Sequence, residues 1–264
     1  MDGLAPDVLN YMVGKGKVWF SRLSADNVPM GEMDLGNDPV FASSLENELL
    51  EHYSSMEGVK KKDMSAIIST AVNLKFTLDE PNPQNLNLAF LGNDEVSYET
   101  QPGGTVNNEA MTARLDRYVK VLRRAISLVT VTDATGAVTY VLGTDYTVDT
   151  VTGRIFCLST GNILQGEPLL VDYTFDELRM PKIIPAGRAK VEGLLRFKGS
   201  PTYGRDYELV FWKVLLSSSG DINFISDDWT QIEFTGEALD DSVNHPGEAF
   251  GKILDLDGDQ ISES

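Results

Sequence analysis

Val13–Met64 reads VGKGKVWFSRLSADNVPMGEMDLGNDPVFASSLENELLEHYSSMEGVKKKDM, and this stretch decides the kind of fold. It predicts a strand, a hairpin turn and a second strand, followed by a long charged loop from about Pro39 to Met64. No nucleophile, base or ligand set is spaced for chemistry anywhere in it. This is how an assembly module is organised.

Outward from that stretch, strand-like alternation recurs. Val72, Leu74, Phe76 and Leu78 point one way while Asn73, Lys75 and Thr77 point the other. Val191, Gly193, Leu195 and Phe197 repeat the period, as do Ile232 and Phe234, so these are expected to be half-buried antiparallel strands. DYELVFWKVLL, residues 206–216, is apolar on both faces and suits a central strand covered on each side. One short helix is expected: Asn82 caps it, Pro83 takes the first helical position, Leu86, Phe90 and Leu91 follow at helical spacing, and Gly92 stops it. The fold class is therefore mainly β with one short packed helix.

A second unit is expected within the first. The segments ISLVTVT, VTYVL, DYTV, GRIFCLS and PLLVDYTF are separated by closely spaced glycine turns, the pattern of a small all-β domain. This places an insert at residues 112–180 and a discontinuous core domain at 1–111 and 181–264. Met111–Arg124 fits both helix and strand spacing, with a lean to strand.

Composition narrows the function. The 264 residues are 42% hydrophobic and 23% charged, ordinary for a globular protein. No stretch has the length and apolarity of a bilayer span, and the first residues do not read as a signal peptide, so the expectation is folding in a cytoplasm without a membrane partner. A formal net charge of -18 argues against gripping a nucleic-acid backbone. Residues 237–264 carry eight acids against Lys252, which is -7 of that total. One cysteine, Cys157, and two histidines, His52 and His245, leave the usual zinc sets unavailable, and Cys157 reads as a small buried hydrophobe.

Candidate chemistry resolves toward structural roles. Asp255, Asp257 and Asp259 alternate as calcium ligands do, but Gly258 sits at the fourth position and the twelfth lies beyond Ser264, so a solvated acidic tail is expected. Gly247–Ile253 is too short for a phosphate loop, and Gly14-Lys15-Gly16 precedes a strand. His52 lies among Glu51, Tyr53 and Ser54, yet neighbours on an extended chain face opposite ways and cannot converge on a substrate. Glu51, His52 and Tyr53 with Lys60, Lys61 and Lys62 instead read as a contact surface whose opposite charges set register between subunits. Arg114, Arg117, Lys120, Arg123 and Arg124 form the densest basic cluster. With Tyr118 as its lone aromatic it lacks a stacking platform for single strands, and an inter-subunit counter-charge is expected. No acid–base pair is placed for catalysis, so no enzyme activity, cofactor or metal is expected.

The pieces GKGKVWFSRL, DLGNDPVF, LEHYSSMEGVKKKD, LKFTLDEPNPQNLNLAFLG, GRAKVEGLLRF and QIEFTGEAL, in that order, resemble the major tail tube proteins of long-tailed, non-contractile bacteriophages. They cover roughly residues 14–100 and 182–240, and the insert resembles an outer accessory β-domain of such proteins. The resemblance implies a tail-tube-type β-sandwich or barrel. It implies homo-hexameric rings stacked head to tail into a tube in the virion tail, assembled in the host cytoplasm and used for genome ejection. It further implies a tape-measure protein in the lumen during assembly, baseplate or tail-tip and terminator proteins at the ends, and DNA passing without tight binding. The Pro39–Met64 loop is then expected to reach the next ring, with Lys60–Lys62 as docking charges. Contractile-tail and secretion tubes share the fold, but a bulky outer insert would obstruct a sheath. A monomeric carbohydrate- or receptor-binding module, using Tyr140, Tyr146 and Tyr173, is the other class.

Overall fold

The structure, a computed structural model, describes residues 11–56 and 58–256. The chain is mainly β. Its elements begin with β1 (Gly16–Arg22), β2 (Met33–Asp34), β3 (Val40–Ser54), β4 (Lys61–Leu78) and α1 (Pro83–Ala89). Next come β5 (Ser97–Gln101), β6 (Gly104–Thr112), β7 (Tyr118–Lys120), β8 (Ile126–Asp133), β9 (Tyr146–Asp149), β10 (Arg154–Cys157), β11 (Pro168–Phe175) and β12 (Leu178–Lys182). The last four are β13 (Val191–Gly199), β14 (Tyr207–Ser218), β15 (Ile232–Ala238) and β16 (Gly251–Asp255).

Two compact units result, and the chain passes between them at Val96–Ser97 and Lys182–Ile183. The inserted unit thus starts at 97 and not at 112. The reason is pairing: β6 is bonded to β11 from Phe175↔Gly104 to Pro168↔Thr112, and β5 to β12 from Lys182↔Ser97 to Leu178↔Gln101. A boundary at 112 would separate two strands from their partners.

The first unit is built on a sheet in the order β2-β1-β13-β14-β15-β4-β3, with β16 also on β14. The doubly apolar run lies in β14, where Val210, Phe211, Val214 and Leu216 are buried. β13 flanks one edge, while β15 and β16 share the other. Phe41 of β3 stacks on Phe197 of β13 with centroids 4.7 Å apart. Four strand spacings of a flat sheet would separate them by about 19 Å. The sheet therefore folds over on itself, enclosing Val18, Phe20, Leu74, Phe76, Leu195 and Phe234. Phe76 and Phe234 are register partners with rings stacked at 5.0 Å, and burying each such side chain contributes about 1.5–3 kcal/mol.

The helix forms where its signals lie. Asn82 Oδ1 accepts the Asn85 N–H at 2.9 Å, and Pro83 opens the first turn. Leu91, at φ +50°, makes the left-handed exit. Gly92 follows because a Cβ there would lie 1.8 Å from Asn87 Oδ1. Asn85, fully buried, donates to the Leu35 and Glu80 carbonyls, both at 2.8 Å, and so anchors α1 to the strand region before it.

The second unit has sheets β7-β10-β9, β6-β11-β8 and β12-β5 around Ile126, Val131, Ile155, Cys157 and Val171. Met111–Arg124 is strand and connection, with Met111 on β6 and Lys120 on β7. VTYVL, expected as a strand, is tied to β8 through the Tyr140 N–H to the Val131 carbonyl at 2.9 Å without forming a named strand. Cys157 is buried, and burial pushes its thiol pKa up, which suits a packing role.

Candidate assembly surface

The expected loop from Pro39 to Met64 is a β-hairpin. β3 and β4 pair from Val40↔Thr77 to Ser54↔Lys61, with register shifts at Glu48/Leu49 and His52/Tyr53. On its other edge β4 meets β15 only over Val72–Leu78, and β3 is the last strand in the sheet order. Among the described residues, 45–54 and 61–71 thus stand as a two-stranded ribbon. Such a ribbon alone is marginal in water, and its two open edges invite further strands.

Register shows which face of the ribbon continues the core. Phe41↔Phe76, Ser43↔Leu74, Leu45↔Val72, Leu49↔Ile67, Glu51↔Ser65 and Tyr53↔Lys62 are direct partners. The extra residues, Ile68 and Asp63, belong to β4, so β3 alternates without interruption and its odd-numbered residues share one face. That is the face carrying Phe41, Leu74 and Phe76 into the core. Beyond the core it continues as Leu45, Leu49, Ile67 and Tyr53, whose relative exposures are 64%, 49%, 62% and 49%. The apolar stripe thus outruns its own core among the described residues.

The predicted contact residues gather on this ribbon. Glu51 accepts from Lys62 and, at 2.6 Å, from the Tyr53 hydroxyl, all on the face that continues the core. The Lys62 bond holds the Glu51 carboxyl below the usual range, and the same bond raises Lys62, while Glu51 raises the Tyr53 phenol. His52 is on the opposite face, with Nδ1 2.6 Å from Asp63 Oδ1. Lys60 precedes β4 at the tip, and Lys61 opens the strand. The cluster holds the hairpin in register and offers no convergent catalytic set.

The basic cluster divides into two kinds of residue. Arg114, Arg117 and Lys120 are exposed, whereas Arg123 and Arg124 are half-buried. The Arg123 guanidinium lies 5.1 Å from the Phe175 ring centroid. Gln101 brackets Arg124, accepting from its N–H at 3.1 Å and donating to its carbonyl at 2.9 Å. Arg123 thus serves the second unit's own packing, and Arg124 is held there through its backbone.

Tyr140, Tyr146 and Tyr173 are buried, their hydroxyls donating to Glu167, the Val129 carbonyl and Glu109. Burial pushes the Tyr140 phenol up to about 12. They form core, not the aromatic binding platform that a carbohydrate module would need. Asp255, expected in the acidic tail, closes β16, where it pairs with Tyr207 of β14 and forms an ion pair with Arg205. Asp257, Gly258, Asp259, Glu263 and Ser264 lie outside the described residues. Among the described residues no three His, Cys, Asp or Glu side chains form a metal-holding group, and no helix is long and apolar enough to cross a membrane.

One exposed surface had not been anticipated: Phe224, Ile225 and Trp229 project from the β14–β15 connection among Asp221, Asp227 and Asp228. Three large apolar residues in a polar segment without alternation were the available signal.

A model of the family described as protein of unknown function UCP028589 matches residues 11–255. Compared with curated proteins, the sequence matches none.

Proposed function

We propose, for a chain that belongs to the UCP028589 family of proteins of unknown function, that it is a structural subunit polymerising as stacked hexameric rings into the tail tube of a long-tailed bacteriophage. The single observation behind this reading is the β3–β4 ribbon, with two open edges and an apolar stripe that its own core leaves uncovered. In a ring, strands from neighbouring subunits complete those edges, and the stripe becomes part of a continuous wall. The motif resemblance supplies the ring and tube. Its other implications belong to the same proposal: a virion-tail location, a tape-measure protein in the lumen and capping proteins at the ends.

The charge of -18 fits a conduit, since a wall of carboxylates lets a polyanion slide where lysines and arginines would hold it. Negative-stain electron microscopy of the concentrated protein tests the reading. Six-fold rings or hollow tubes are expected; monomers alone, even with a tail-tip initiator complex present, would overturn it.

A further inference from the structure

The first unit contains a groove of about 600 Å3 at the base of the hairpin, walled by Met12, Phe41, Phe197, Leu209 and Ile253. Asp38 and Lys15 are the charged residues in its lining. Asp38 Oδ2 accepts the Val18 N–H at 3.3 Å. Its Oδ1 is buried and has no hydrogen-bond partner among the described residues. Asp34, Asp79 and Glu80 add negative potential around it, although Lys17 is ion-paired to Asp34 at 2.8 Å. An apolar groove with an unsatisfied carboxylate oxygen suits an occupant that brings an apolar knob and a cation together.

Two exposed apolar segments of this chain compare as occupants. The β14–β15 connection offers Phe224, Ile225 and Trp229, but its Asp221, Asp227 and Asp228 would be repelled. The hairpin tip offers Met56 and Val59, 93% and 74% exposed, followed directly by Lys60, Lys61 and Lys62. Within one molecule the tip cannot reach the groove. From Ser43 in the groove lining, paired strand runs to Ser54, a span of about 35 Å at ~3.3 Å per residue.

We propose that this groove is the socket for the hairpin tip of a second copy of the chain, with Met56 and Val59 in its apolar part and Lys60 facing the Asp38 carboxylate. The proposal rests on the tube reading and deepens it by naming the receptor of the stacking contact. Tip and socket are different surfaces, so the contact is heterologous and propagates.

Disulfide trapping in the full-length protein tests this, because Cys157 is buried and Gly58 has open space around it. Tagged Gly58→Cys chains are mixed with untagged Val40→Cys chains under mild oxidation. The expected result is a mixed covalent dimer that neither variant gives alone, and a ladder of multimers from the doubly substituted chain. Adding Lys60→Glu to the tip should slow the mixed crosslink on the order of tenfold. Hollow tubes without the mixed dimer would overturn the socket and leave the tube reading standing. Neither tubes nor crosslink would overturn both. A link between Ala5→Cys and Val40→Cys within one chain would show the groove filled by the chain's own first residues, and would also overturn the socket.

Discussion

Asp38 and Asn82 show how differently two polar side chains can act on this fold. Asn82 satisfies a helix-end N–H that no intrahelical carbonyl reaches. Asn82→Ala should lower unfolding free energy by about 1 kcal/mol, read as a lower urea midpoint with unchanged slope. Asp38 works against the isolated subunit. Burial pushes its carboxyl up to about 7, with the Val18 N–H opposing and Asp34, Asp79 and Glu80 reinforcing the shift. An unfolded aspartate titrates near about 4. Between those values the folded subunit keeps a proton that the unfolded chain has released, so stability falls as pH rises from about 4 to about 7. Asp38→Asn should flatten that decline and stabilise the monomer at pH 8 by about 1–2 kcal/mol, a value reduced because the side chain is only part-buried. Melting curves at pH 5 and pH 8 measure it. The cap was legible in Asn82-Pro83 because capping is local. Asp38 was not, since DLGNDP reads as turn and its burial depends on β1 and β13, distant in sequence.

The hairpin is the element that sequence pattern described least well. Leu74, Phe76 and Leu78 alternate because one face is dry within the same chain, and that part of β4 was readable. Over residues 45–54 the pattern LENELLEHYS mixes polar and apolar residues on both faces, because no part of the described chain covers either face there. Period-2 signals fade where no surface of the same chain dries one face. The two bulges hide it further by shifting Ile68 and Asp63 out of step. Leu49→Ser with Ile67→Ser should therefore change monomer stability by less than about 0.5 kcal/mol, as exposed substitutions do, while abolishing tube growth. Thermal melting of the monomer and electron microscopy of the concentrated protein read the two effects separately. A large fall in melting temperature would mean that the stripe is covered within the subunit.

For the whole molecule, the insert was recognised from its turn spacing but was begun too late, because β5 and β6 find their partners far down the chain in β12 and β11. Each unit has its own buried cluster, Phe20, Phe76 and Phe234 in one and Ile126, Val131 and Ile155 in the other. Residues 97–182 produced alone should fold cooperatively, with Cys157 unreactive to thiol reagents until denaturant is added. A chain in which a short linker joins Val96 to Ile183 should keep its melting transition and still form tubes. Failure of the shortened chain to fold would show that the first unit depends on the second.

Ser97 and Lys182 are register partners, and the Ser97 hydroxyl donates to the Lys182 carbonyl at 3.0 Å. The chain thus leaves and re-enters the first unit through neighbouring positions on two adjacent strands. A domain whose two ends meet in this way is exchangeable: any folded module whose ends lie one strand spacing apart can replace it without altering the path of the rest. In a repeating assembly this pair of chain ends would recur once per subunit, turning a single grafted binding domain or enzyme into a dense, evenly spaced array.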